Sequence, residues 1–179
     1  MSEDHETNMT LKNNNIILIG MPGAGKSTVG VILAKLMSRG FVDTDLLIQS
    51  RMARSLQDIV NHDGHMALRR IEEDVILSLD LSNHVIATGG SAIYSQAAMA
   101  HLRTNGITVF LNVDLAVLQS RVHDFETRGL ARRPDQDMAD LFEERRPLYL
   151  KHADLTVDCT GLTQEEVCAS IIKELDVSR

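Results

Sequence analysis

The 179 residues carry 44% apolar and 24% charged side chains, ordinary values for one globular domain. No apolar run approaches the ~20 residues of a membrane span. Eighteen Lys and Arg against 25 Asp and Glu give a net charge of −7, and aromatics are only 3%. That excludes the basic field and the stacking platforms of a DNA- or RNA-binding protein. Cys159 and Cys168 are too few for a disulfide framework and form no CxxC pair for zinc, so both read as small apolar residues.

Residues 1–13 are expected to form a mobile tail. The tail lacks the basic-then-apolar pattern of a secretory signal, so a cytoplasmic address is expected. From there the chain alternates short Ile/Val/Leu runs with amphipathic stretches. In order, it predicts a strand at 15–19, a helix at 26–37, a strand at 40–43 and helices at 46–52, 55–61 and 65–79. A strand at 84–88, a helix at 95–104, a strand at 107–112 and helices at 115–123 and 137–152 follow. The last two elements are a strand at 155–158 and a helix at 163–174. Asp114, Ser55 with Asp58, and Thr163 with Glu166 stand where helix caps are needed. Short apolar strands alternating with helices imply a single α/β domain over 14–179, its parallel sheet covered on both faces.

The strongest motif lies between the first strand and first helix. Gly20-Met21-Pro22-Gly23-Ala24-Gly25-Lys26-Ser27-Thr28 fits G-x-x-x-x-G-K-[ST] in the required strand–loop–helix context. Glycines let the backbone wrap a phosphate, and the helix start adds its positive dipole end. Gly23, Ala24, Gly25, Lys26, Ser27 and Thr28 are therefore the candidate ATP-binding residues. Lys26 is suited to the β- and γ-phosphates and Ser27 to Mg²⁺. No N-K-x-D or L-S-G-G-Q motif is present, which argues against a GTPase switch or a transporter ATPase.

The second strand ends in Asp43-Thr44-Asp45. Two carboxylates at the carboxyl edge of an open α/β sheet fall beside the phosphate loop. One can serve a metal and the other can take a hydroxyl proton; the alternative is that one only caps the next helix. A basic stretch at 125–137 packs Arg128, Gly129, Arg132, Arg133 and Pro134 into an otherwise acidic chain. It reads as a mobile lid that excludes water and brings a cation to the phosphates. Arg128 is the candidate cation, Gly129 its hinge and Arg133 the second choice; a solvated charge cluster is the alternative.

These motifs, with Leu68-Arg69-Arg70-Ile71-Glu72, Thr88-Gly89-Gly90-Ser91 and Glu144-Arg145-Arg146-Pro147-Leu148-Tyr149, resemble the shikimate kinases over nearly the whole chain. The resemblance implies a nucleoside-monophosphate-kinase-like P-loop fold with five parallel strands in the order 2-3-1-4-5. It implies phosphoryl transfer from ATP to a hydroxyl of a small carboxylated polyol, with shikimate the favoured acceptor. Another acidic polyol, or a binding protein without turnover, remains an alternative. By the same resemblance Ser27 and Asp43 serve Mg²⁺, and Asp45 binds acceptor hydroxyls and acts as base. Arg69 and Arg145 clamp the carboxylate, Gly89 and Gly90 line the pocket, and Lys26 and Arg128 act on the phosphates. A monomer acting on a small molecule is expected, with neither nucleic acid nor membrane as partner. The sequence departs from the family pattern at Val60 and Leu68, where phenylalanines are expected. It departs also at His65, at Ser91 in place of a third glycine, and in a lid about two residues shorter.

Overall fold

The computed structural model describes residues 14–123 and 128–177. The expected tail at 1–13, and residues 125–127 of the expected lid, lie outside them. The described elements are β1 (Asn15–Ile19), α1 (Lys26–Leu36), β2 (Gly40–Asp43), α2 (Thr44–Met52), α3 (Leu56–Asp63), α4 (His65–Leu77) and β3 (His84–Ala87). A 3₁₀ turn (Ala92–Tyr94) follows, then α5 (Gln96–Thr104), β4 (Gly106–Asn112), α6 (Leu115–Arg121), α7 (Met138–His152), β5 (Leu155–Asp158) and α8 (Gln164–Val177). The strands pair in parallel in the order β2-β3-β1-β4-β5, the expected topology.

Position in the sheet explains which strands look buried. The central strand β1 is buried at all five residues, NIILI. The edge strands β2 and β5 are partly exposed, so the expectation of strands buried on both faces holds only inside the sheet. Val85, Ile86, Val109, Phe110 and Leu111 join β1 in the main core with Leu33 and Ala34 of α1 and Cys168 and Ile171 of α8. Cys159 and Cys168 are both buried, as small apolar residues should be, and burial pushes the Cys159 thiol up to about 12. A second, smaller cluster joins Ile48, Ile59, Leu68, Val75 and Ala131. It holds α2, α3 and α4 together and fastens the segment after Arg128 to them. No helix among the described residues is long and apolar enough to cross a membrane.

A side-chain cap accounts for the early start of α2, while α8 runs three residues beyond its expected end at 174. Asp43 Oδ1 accepts from the backbone N–H groups of Asp45 (2.9 Å) and Leu46 (3.3 Å), so α2 starts at Thr44, two residues earlier than expected. Ser55 with Asp58 and Thr163 with Glu166 form the expected reciprocal caps. Asp114 does not: it holds the cap backbone conformation, but its side chain accepts nothing from α6, and its N–H donates to Thr160 Oγ1. A further capping box, Asp137 with Asp140, opens α7. Gly129 is not a loose hinge. It is buried at φ +67, donates to Gln57 Oε1 (2.7 Å), and a Cβ there would lie 2.6 Å from Leu56 Cβ. Arg132 departs from the solvated alternative: it is buried and donates to the carbonyls of Arg133, Pro134 and Gln136.

Candidate active site

The carboxyl ends of β1, β2 and β3 meet at one edge of the sheet. There the register sets Asp43 beside Ala87 and Leu18 beside Ala87. The turns that follow these strands wall a cavity of about 470 Å³. Its lining includes Gly23, Gly25, Lys26, Ser27 and Thr28 of the phosphate loop, Asp43 and Asp45, Gly89 and Gly90, and Arg128 and Arg145. Ala24, also in the loop, is buried and is not part of the cavity wall. Arg69 and Arg133 are not part of the cavity wall. Arg133 is exposed and pairs with Glu144 (3.3 Å) and Asp135. Arg121 and Glu72, which sequence reasoning did not assign to the site, are part of the wall.

The phosphate loop is built for an anion. Gly25 takes the left-handed conformation (φ 89) as N-cap of α1, with no side chain on the cap. The start of α1 therefore points bare backbone N–H groups at the cavity. Lys26 Nζ donates to the carbonyls of Gly20 (2.8 Å) and Met21 (3.0 Å) and lies over the loop. Burial lowers its pKa to about 8, partly offset by the charge of Asp45. Ser27 Oγ donates to Asp43 Oδ2 at 2.5 Å, so a hydroxyl and a carboxylate sit side by side.

Asp45 lies in the first turn of α2 and faces the diglycine turn after β3. Thr44 Oγ1 accepts from Gly89 N–H (2.9 Å), which locks the two turns together. A Cβ on Gly89 would stand 2.6 Å from Asp45 Oδ1 and closer still to Glu72 Oε1, so any larger residue would have to push one of the two carboxyls aside. Burial, and then the neighbouring Asp43, raises the Asp45 pKa to about 6.

Glu72 is 3% exposed. The i,i+3 ion pair with Arg69 that its spacing allows is not formed. Its Oε2 instead accepts from Ser91 Oγ, and its Oε1 is buried with no hydrogen-bond partner. Burial, and then Asp45, raises its pKa to about 7. A carboxyl with a higher pKa folded than unfolded binds more protons in the native state. Its contribution to stability is full below the ordinary value of 4.5 and is lost as pH rises to about 7. Glu72→Gln, which cannot ionise, is expected to raise the urea-unfolding free energy at pH 8 on the order of 2 kcal/mol. At pH 4.5 the gain is expected to vanish. An equal effect at both pH values would mean that Glu72 does not titrate on folding.

The two arginines expected to clamp a carboxylate do converge. Arg69 Nη2 (3.2 Å) and Arg145 Nη2 (2.9 Å) donate to the same carbonyl, that of Ala131. Arg145 is 1% exposed, far from the surface charge its neighbours Glu143, Glu144 and Arg146 suggest. Its Nη1 reaches over Gly90, where a Cβ would lie 2.6 Å away. Arg69 is stacked on Tyr94, a residue the sequence reading did not single out. Of the two positions where an aromatic residue is expected, only Leu68 faces this cavity; Val60 lines a separate cleft with His65, Leu130 and Arg132. The loss of aromatic wall therefore amounts to one side chain.

The Shikimate kinase family model matches residues 22–176. The shikimate kinase of Thiobacillus denitrificans is 39% identical over 150 residues, 82% of this chain and 82% of that protein. That of Caldanaerobacter subterraneus subsp. tengcongensis is 33% identical over 162 residues, 89% of this chain and 94% of its own. Among solved structures, the shikimate kinase from Acinetobacter baumannii in complex with shikimate superposes with a TM-score of 0.85. It is 28% identical, and the match covers 97% of this chain and 98% of that one. Family model, relatives and fold agree with the motif order along the chain and with the cavity those motifs wall, and on that ground the chain belongs to the shikimate kinase family.

Proposed function

We propose that the protein transfers the γ-phosphoryl group of ATP to a hydroxyl of shikimate, giving ADP and shikimate 3-phosphate. One observation carries the reading: the phosphate loop, the Asp45 carboxyl and the Arg145 guanidinium open onto the same cavity. A triphosphate on the loop and a carboxylate at Arg145 are thereby brought to either side of one carboxylate base. The α1 N–H groups and Lys26 hold the phosphates and neutralise charge spread over the transferring group. Ser27 and Asp43 offer one hydroxyl and one carboxylate, the sparse oxygen set Mg²⁺ takes beside phosphates and waters. Mg²⁺ held there would offset the phosphate charge. Asp45 orients the acceptor hydroxyl and takes its proton. Gly89 and Gly90 let the ring approach the backbone, and Arg145, with Arg69 behind it, receives the carboxylate in the planar fork that only arginine presents.

The test is ADP release with Mg-ATP and a panel of acidic polyols. Shikimate is expected to give the highest kcat/KM. Turnover of a different panel member alone would move the substrate but keep the reaction. Absence of ADP release with every member would remove the kinase reading.

Arg128 borders the cavity from the lid side, while Arg133 is engaged with Asp135 and Glu144. Arg128→Ala is expected to lower kcat roughly a hundredfold, the lower end for a lost transition-state donor, with acceptor KM little changed. Arg133→Ala is expected to stay within about threefold of wild type, as surface ion pairs contribute little. The reverse ranking in steady-state kinetics would transfer the phosphate role to Arg133.

A further inference from the structure

Tyr94 stands in the short 3₁₀ turn three residues beyond Ser91, half-buried between α4 and α7. The Arg69 guanidinium carbon lies 3.7 Å from the centroid of its ring, and that of Arg145 lies 5.3 Å away. Its hydroxyl accepts from Arg145 Nε (3.2 Å) and donates to Glu144 Oε1. Glu144 is in turn held by Gln136 (2.6 Å) and Arg133. One aromatic side chain thus touches both arginines, and the chain of bonds closes through their shared acceptor, the Ala131 carbonyl.

We infer that Tyr94 is a positioning residue for the acceptor's carboxylate site, stacking Arg69 flat and fixing Arg145 through its Nε. The inference rests on the reading that these arginines receive the acceptor carboxylate.

The physical need is clear. Two guanidinium groups sharing one acceptor repel each other, and each long side chain has many rotamers to lose. The electron-rich ring face attracts the Arg69 cation and restrains its plane. The hydroxyl acts at the other arginine. By donating a hydrogen bond to the Glu144 carboxylate, the phenol oxygen becomes a better acceptor for Arg145 Nε–H. Glu144 immediately precedes Arg145 on α7 and accepts from Tyr94, so the phenol bridges the carboxylate of one residue to the guanidinium of the next. Burial raises the Tyr94 pKa above its ordinary value, so the phenol keeps the proton it donates. With Nε on Tyr94 and Nη2 on Ala131, Arg145 has its Nη1 edge directed over Gly90 toward the cavity. A preorganised fork binds a planar carboxylate without first having to be ordered.

Two variants separate the contributions. Tyr94→Phe keeps the stack and removes the hydroxyl; Tyr94→Leu removes both. For Tyr94→Phe the acceptor KM is expected to rise about fivefold, and for Tyr94→Leu about thirtyfold. The KM for ATP is expected to stay within about twofold of wild type, and kcat to fall less than acceptor KM rises. A second readout does not depend on turnover: the Arg145 Nε–H signal in ¹⁵N NMR. It is expected to exchange slowly with water in wild type and fast in Tyr94→Phe. If Tyr94→Leu fails to fold, Tyr94→Phe decides alone. Acceptor KM within twofold of wild type in Tyr94→Phe, with the Nε–H signal still protected, overturns the inference. Equal losses in acceptor KM, ATP KM and kcat overturn it too, because they mark a general packing role. If the wild type fails to phosphorylate shikimate, the proposed substrate falls, and the Nε–H signal still decides the role of Tyr94.

Discussion

Lys26→Ala is expected to lower phosphoryl transfer about 10³-fold or more with Mg-ATP saturating, and to leave the fold intact. The side chain stands on the cavity wall, and among the described residues its ammonium bonds the Gly20 and Met21 carbonyls of its own loop. Of the two carbonyls it leaves, that of Met21 also accepts from Ala24 N–H (3.1 Å), so the loop's own turn persists without the ammonium. The catalytic loss is large for a different reason. In phosphoryl transfer the protein does little covalent chemistry and acts mainly by positioning and by stabilising spread negative charge. Loss of one such donor in a preorganised site costs about 10²–10³-fold, and a full cation in a desolvated loop belongs at or above that range. ADP release under saturating nucleotide, with circular dichroism as the check on folding, reads both halves. Turnover near the wild-type rate would end the kinase reading.

The parts of the site that were legible in the sequence are those written contiguously. The phosphate loop, the Asp43–Asp45 pair and the diglycine turn each lie within a few residues, and each follows a strand whose Ile/Val/Leu run marks it. Strand order came only with the family resemblance, since five short apolar strands pair equally well on paper in several orders. Illegible were the contacts between residues far apart in the chain. Ser91 reaches Glu72 across 19 positions, and Tyr94 reaches Arg145 across 51. Charge spacing alone allows Arg69 a surface pairing with Glu72 or Glu73 one turn on. A different regularity pointed inward: Leu68, Glu72, Val75 and Ile76 share one helical stripe, and all four are buried. A lone carboxylate on an apolar stripe was the available sign of a group facing the site. Tyr94 carried no such sign, because its partners come from two other helices.

The apolar remodelling is also clearer in three dimensions. Leu68 faces the cavity and at the same time packs with Ile48, Ile59, Val75 and Ala131 in the smaller core. That cluster holds the Ala131 carbonyl where both arginines donate to it. Substitution of an aromatic residue by leucine at this point changes the wall while keeping the packing that anchors the segment beyond Arg128. The anion-binding groups and the apolar wall are therefore coupled through one loop, not independently variable.

Asp45→Asn is expected to lower kcat about 10²–10⁴-fold while changing ATP affinity little. The amide has nearly the shape of the carboxylate, so α2 and the Thr44–Gly89 contact should persist; the cap of α2 belongs to Asp43, not to Asp45. What the amide loses is the capacity to take a proton and to hold the acceptor hydroxyl as a charged acceptor does. The surroundings suit that task. Asp45 borders the cavity, a glycine leaves room for it beside Glu72, and burial raises its pKa to about 6, closer to the operating range than an exposed aspartate. Asp43→Asn is the natural contrast. Its carboxylate accepts from Ser27 on the phosphate side, so that variant should weaken use of Mg-ATP, and restoring the rate should require more Mg²⁺. Measured side by side, the two variants divide the pair into a metal-side and an acceptor-side carboxylate. If Asp45→Asn changed only nucleotide affinity and left kcat within a few-fold, both carboxylates would belong to the metal side. The acceptor proton would then have to leave by another group, with Glu72, across Gly89, the nearest candidate.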